Sequence, residues 1–293
     1  MNTLHLAHSN HDVIFLPKDL IRFSLPYRDT GQSHWLRENG QTEYAVHAGR
    51  ILDVKTGQMR TLLPSGKIAR LILIWFCTQA KITKNKKIEV RPSMRQLLKD
   101  LGVPWSSANA LEVSNQLQAL LNCTLQLTEL ENVDGQQKVV TRNLLVSDSS
   151  KLWFLNGEIE SKNLSYVFLS DSLYEELHDA VPISNQACRY LQQTSKSPMA
   201  LDVYFWLCLR LYHRARPSRV TWEQLYLQFG SNADKHKFKQ VFRKSLEKVQ
   251  EVYPQARIVE VGEDGRSRQG FQGFMLYPSP DPRENFQDQL MSG

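Results

Sequence analysis

The sequence predicts an α+β protein, two winged-helix domains in tandem behind a strand-rich N-terminal leader. Three observations carry this reading. An apolar helix recurs within the chain, the elements after it recur in the same order, and both copies close on alternating strands around an Asp-Gly turn. The repeat is seen best where ARLILIWFCTQAK (69–81) meets ALDVYFWLCLRLYHR (200–214): Trp75 and Cys77 align on Trp206 and Cys208 at an offset of 131. At an offset of 128, SMRQLLKDLG (93–102) aligns with TWEQLYLQFG (221–230).

The elements follow in order. Before the first copy, QTEYAVHAGRILDV (41–54) alternates polar and apolar residues as a strand does. It is expected to supply an exposed sheet edge, able to pair across a two-fold axis. Each copy then runs from a long buried helix to a short strand, KIEV (87–90) or SRVTW (218–222). A capped helix comes next. Ser93 with Gln96, and Thr221 with Gln224, have capping-box spacing, and Gly102 and Gly230 suit the left-handed position beyond a helix end. A tight turn, VPWSS or SNAD, leads to a third helix over 107–122 or 233–252, with Ser231 the expected N-cap of the second. The last elements are hairpins. CTLQLTEL and KVVTRNLLVS flank the turn NVDGQQ, and ARIVEVGE and FQGFMLYP flank DGRSRQG, so each is expected to be its copy's wing. Domains are expected at 1–160 and 161–280, with a flexible tail over 281–293.

Charge separates the copies. In SNADKHKFKQVFRKSLEKV (231–249), six Lys or Arg fall between positions 235 and 248, yet Phe238, Val241, Phe242, Ser245, Val249 and Val252 still share one arc of a helix. The opposite arc holds His236, Gln240, Arg243 and Glu247, flanked by Lys237, Lys239 and Lys244. The third helix of a helix-turn-helix enters the major groove, where Arg, Lys and Gln reach base edges and outer lysines meet phosphates. Arg214, Arg216 and Arg219 before the short strand, and Arg266 and Arg268 at the second hairpin tip, extend the basic surface. The first copy's third helix, SSANALEVSNQLQALLN, has no Lys or Arg and cannot neutralise phosphates. Its domain carries Lys84, Lys86, Lys87 and Arg91 in the connector, a candidate secondary DNA contact, and self-association is expected of it.

Composition bounds the rest. The chain has 293 residues, is 41% hydrophobic, and carries a net charge of +6 with a pI near 9.1, which suits a globular protein with a polyanionic partner. The longest uncharged apolar run, LILIWFCTQA, is about half of a bilayer span, so a soluble, cytoplasmic protein without a membrane partner is expected. Four cysteines without a C-x-x-C pair read as buried thiols. His5, His8 and His11 read as part of a mobile leader rather than a metal site, and Glu175 and Glu176 as an exposed acidic face. No G-x-x-x-x-G-K-[ST] loop is present, so nucleotide hydrolysis is not indicated; neither an enzyme nor a cofactor is expected.

The blocks LPYRDTGQSHWLRENGQTEYAVHAG, LPSGKIARLILIWFCTQAKITKNKKIEV, SPMALDVYFWLCLRLYHR, VTWEQLYLQFG and VYPQARI, spread in order from about residue 25 to residue 278, resemble plasmid-encoded replication initiators of the RepA type. VPWSSAN departs from that family's glycine-rich turn. The resemblance implies a protein that binds double-stranded origin repeats (iterons), helps host initiator melt adjacent AT-rich DNA, and recruits the replicative helicase. It also implies a homodimer in equilibrium with monomer, with the second domain dominating iteron reading. A winged-helix transcriptional repressor, including an autoregulatory one, would need the same basic helix and the same dimer.

Overall fold

A computed structural model describes residues 12–22, 24–39, 41–90, 93–155, 158–159, 165–211, 215–229, 234–262 and 270–283. The leader contributes β1 (Val13–Leu16), α1 (Lys18–Arg22), the hairpin β2 (His34–Asn39) and β3 (Thr42–His47), and a second hairpin, β4 (Arg50–Asp53) and β5 (Gln58–Thr61). The first copy opens with α2 (Gly66–Thr83), whose residues 69–80 are all buried, as befits a helix that is apolar on nearly every side. Then come β6 (Lys87–Val90), α3 (Met94–Asp100) and α4 (Ser107–Asn122). Ser93 caps α3 by accepting the Gln96 N–H at 3.3 Å, but the Gln96 amide reaches forward to Asp100 (2.9 Å) instead of back to the cap. At the far end Gly102 takes φ +68°, and the N–H groups of Val103 and Gly102 close on the carbonyls of Leu98 and Lys99, a Schellman stop as expected.

The strands after α4 are β7 (Thr124–Val133), β8 (Gln136–Leu145), β9 (Ser147–Lys151), β10 (Phe154–Leu155), β11 (Glu158–Ile159) and β12 (Ser165–Leu169). The hairpin β7–β8 forms where it was expected, with Asp134 and Gly135 both at positive φ. Its role differs. It joins the leader in a sheet ordered β2-β3-β7-β8, in which Tyr44 and Val46 face Leu127 and Leu125 and all four are buried. The short strand β6 pairs instead with β12, in a sheet ordered β6-β12-β9. The reason is complementary alternation: Ile88 and Val90 lie opposite Val167 and Ser165, which turn the same face to the core. Because β3 is an inner strand between β2 and β7, the strand within 41–54 is not an edge of the four-stranded sheet, whose outer strands are β2 and β8.

The remaining elements are α5 (Asp171–Glu176), a 3-10 turn at Leu177–Asp179, β13 (Val181–Ser184), α6 (Asn185–Thr194), α7 (Met199–Leu211), β14 (Ser218–Thr221), α8 (Trp222–Phe229), α9 (Lys235–Val252), β15 (Ile258–Val261) and β16 (Gly273–Leu276). Thr221 and Gln224 form both halves of a capping box, at 3.0 and 2.9 Å. In this copy the hairpin does pair with the short strand, in a sheet ordered β14-β16-β15 that repeats the arrangement of β6-β12-β9. Cys77 and Cys208 are buried at equivalent places, and Cys123 and Cys188 are buried as well.

The boundary expected at residue 160 cuts through the first copy, since β12 completes its sheet; β1 in turn pairs with β13 across the whole first copy. One hydrophobic core runs through both copies. At its centre Arg70 of α2 grips Asp202 of α7 with two parallel hydrogen bonds, of 2.7 and 2.8 Å, both side chains being under 10% exposed. Arg70 also donates to the carbonyls of Leu25, Pro26 and Gly66, so the leader is tied into the same joint. Burial pushes the Asp202 carboxyl above the usual carboxylate range, against the pull of Arg70. The tail is anchored at its start: Tyr253 donates to the Pro280 carbonyl (2.6 Å) and buried Asp281 holds Arg283. Residues 284–293 lie outside the described residues.

Candidate nucleic-acid interface

The basic helix α9 starts at Lys235, two residues later than expected. Its N-cap is Asp234, whose Oδ1 accepts the Lys237 N–H at 2.9 Å, while Ser231 lies outside the described residues. That N–H holds the Asp234 carboxyl below the usual carboxylate range, since a donor aimed at the ionised form favours it. Phe238, Phe242, Ser245, Leu246, Val249 and Val252 are buried; Leu246 thus joins the apolar arc, and Val241 is only half-buried.

Under the helix lies an aromatic cluster. The Trp222 ring meets Phe242 and Phe274 edge to face, with centroids 5.6 and 4.9 Å away, and its Nε1 donates to Glu260 at 3.0 Å. The same carboxylate accepts two hydrogen bonds from Arg243, at 3.1 and 2.8 Å, and the guanidinium carbon sits 5.1 Å from the Trp222 centroid. Arg243, expected to face bases, is therefore engaged within the chain and ties α9 to β15. Glu260 and Trp222 were missed by sequence reasoning. Their signal was present, because Glu260 shares a sheet face with buried Phe274 and Val220, where a carboxylate must find donors.

The exposed stripe of α9 runs through His236, Lys237, Gln240 and Lys244 to Glu247, with Gln240 hydrogen-bonded to the His236 ring at 3.0 Å. Lys239 is half-buried, its Nζ 5.3 Å from the Trp222 centroid. Lys235 reaches Glu223 of α8 at 2.5 Å. On β14 Arg219 is exposed near the Phe271 ring, and Arg216 is exposed just before it. Arg214, Arg266 and Arg268 lie outside the described residues, as does Arg91 of the first copy.

The connector of the first copy is split in its behaviour. Lys84 ends α2 in the left-handed conformation, Lys86 is paired with Asp171 at 2.5 Å, and Lys87 sits over the rings of Tyr166 and Phe168. The third helix α4 is covered by the leader. Gln118 accepts from the Leu52 N–H (3.0 Å) and donates to the Leu52 carbonyl (3.1 Å), so one amide side chain binds both backbone polar groups of one residue of β4. Gln116 accepts the Ser65 N–H at 2.8 Å, and Ile51, Leu62 and Ala119 make a small core of their own. The chain passes so near that a Cβ on Gly49 would lie 1.9 Å from the Asn122 carbonyl oxygen. Glu176, expected on an exposed face, is half-buried beside Arg142 (3.4 Å) and Asp19.

Among the described residues no cluster of His, Cys, Asp or Glu could hold a metal, and no helix is long and apolar enough to cross a membrane. His5, His8 and His11 lie outside the described residues. A crystal structure of a selenomethionine derivative of domains 2 and 3 of RctB superposes with a TM-score of 0.54 at 11% identity, covering 89% of this chain and 95% of that one. A second crystal structure of RctB domains 2-3 gives 0.50 at 11% identity, over 90% and 96%. These likenesses concern the fold. No curated protein sequence matches the chain. Residues 63–224, from just before α2 through the first turn of α8, match the family model of the plasmid-encoded RepA protein, and the chain belongs to that family.

Proposed function

We propose that this protein is a replication initiator that grips repeated origin sequences through α9, each copy being a winged helix and the second one the reader. The observation that carries the reading is the exposed stripe His236, Lys237, Gln240 and Lys244 on a helix whose apolar side is buried at Phe238, Phe242 and Val249 and whose edge is tied to Glu260 and Trp222 through Arg243. A rigid helix with polar and cationic groups on its free face suits insertion into a major groove, Gln240 facing base edges and the lysines facing phosphates. Arg219 on β14 and Arg216 just before it serve as phosphate-backbone contacts. The protein acts without catalysis, as a positioned DNA ligand that assembles host initiator and helicase in the bacterial cytoplasm. Self-association runs through the first copy, where the outer strand β8 is the candidate for pairing with a second chain.

Footprinting on the plasmid's own origin tests this. Protection of several directly repeated sites is expected, with Gln240→Ala reducing discrimination between those sites and random duplex. Protection confined to one inverted site at a promoter would make the protein a repressor instead.

A further inference from the structure

The first copy, though its third helix is covered, carries a second surface of a different kind. In the sheet β6-β12-β9 the central strand turns Val167 and Leu169 inward, both fully buried, and Tyr166 and Phe168 outward. The two rings meet edge to face at 5.4 Å and 78°, so neither is covered by parallel stacking on the other. A lysine stands beside each ring on a neighbouring strand, Lys87 of β6 opposite Phe168 and Lys151 of β9 opposite Tyr166. Lys87 Nζ lies 5.0 Å from the Tyr166 centroid, and Lys151 Nζ lies 4.9 Å from that of Trp153, a ring 38% exposed just beyond β9. A hydrogen bond from the Trp153 N–H to Ser165 Oγ (3.1 Å) holds that residue against β12. Glu89, on the same face opposite Tyr166, is its one carboxylate among these strand positions.

We propose that this sheet face binds single-stranded DNA, with Tyr166 and Phe168 stacking bases and Lys87 and Lys151 meeting phosphates. The chemistry selects the ligand. Aromatic rings flanked by ammonium groups suit a partner with π-faces and negative charge in alternation. A duplex keeps its base faces stacked inside, so it offers the lysines phosphates but the rings nothing. An apolar protein surface would have to strip water from both lysines without returning a counter-charge. A single strand satisfies both sets of groups. The inference deepens the proposed role in origin handling and rests on it, since a protein that opens an origin meets the strands it separates.

The test measures binding of the full chain to a labelled oligothymidine long enough to span both rings, and separately to duplex carrying an origin repeat. Tyr166→Ala with Phe168→Ala is expected to weaken single-strand binding by at least about 30-fold, two stacked bases being lost, while duplex binding is retained. Tyr166→Trp with Phe168→Tyr keeps the single-strand affinity. Lys87→Gln with Lys151→Gln, which leaves the rings in place, flattens the salt dependence of single-strand binding by roughly 0.7 per lysine. Should the alanine pair misfold, both affinities fall and the lysine pair decides. Undiminished single-strand binding in the ring variant, or an unchanged salt slope in the lysine variant, overturns the site. A wild-type chain that binds duplex but no single strand overturns it too and leaves the duplex reader standing, whereas failure to bind origin duplex overturns the proposed function.

Discussion

The third helices of the two copies hold the same place in the repeat and live in opposite surroundings. On α9 the face away from the core is exposed and carries Lys237 and Lys244 beside His236 and Gln240, with Glu247 beyond them. On α4 residues 116–121 are all buried, because the β4–β5 hairpin lies across the side that its counterpart leaves open. The absence of Lys and Arg from α4 is thus more than the loss of a DNA contact. A long cation there would sit beneath a backbone strand with no counter-ion, whereas Gln118 satisfies both backbone polar groups of one residue at no charge. Duplication supplied two equivalent helices, and the leader made them unequal.

The largest expected effect tests the frame in which the helices are compared. Asp202→Ala strands the Arg70 guanidinium in the core and should cost about 3–5 kcal/mol in urea unfolding, while Arg70→Met with Asp202→Leu should recover most of it. Equal losses in the single and double variants would show that the pair itself, rather than an orphaned charge, sets the docking of α2 on α7.

Next is the cover on α4. Gln118→Ala leaves the Leu52 N–H and carbonyl without their partner, at about 1–3 kcal/mol of stability, and should speed proteolysis within 50–61 without altering duplex affinity. A loss of origin binding equal to that of a substitution on α9 would mean that the covered helix takes part in recognition.

A third pair separates reading from buttressing on α9. Gln240→Ala should remove about 1–3 kcal/mol of discrimination between origin repeat and random duplex. Arg243→Ala should lower affinity for both, because its guanidinium holds Glu260 and Trp222 rather than facing outward. If Arg243→Ala instead relaxes specificity alone, the ion pair with Glu260 opens on binding.

The smallest effect concerns Lys237 and Lys244. Replacing both with Ala should flatten the plot of log K against log salt by roughly 0.9 per lysine while sequence preference persists. An unchanged slope would remove them from the phosphate contacts.

Local rules written in neighbouring residues were legible from the chain alone. The Asp134-Gly135 turn, the Thr221–Gln224 box, the Gly102 stop, the core arc of α9 from Phe238 to Val252 and the repeat that aligns Trp75 with Trp206 all depend on spacings of a few residues or on direct self-similarity. What the tertiary structure decided was pairing between distant segments that satisfy the same pattern equally well. Alternation in β7–β8 fits either β6 or the leader strand β3, and only the assembled core assigns it to β3 and leaves β12 for β6. The fate of Arg243 belongs to the same class: its position on the wheel is local, but Glu260 comes from a strand 17 residues on, and a helical wheel contains no strand. So the sequence determined which residues form each element and which face is apolar, through periodicity. Which face stays open to DNA was settled by what else the chain had to cover.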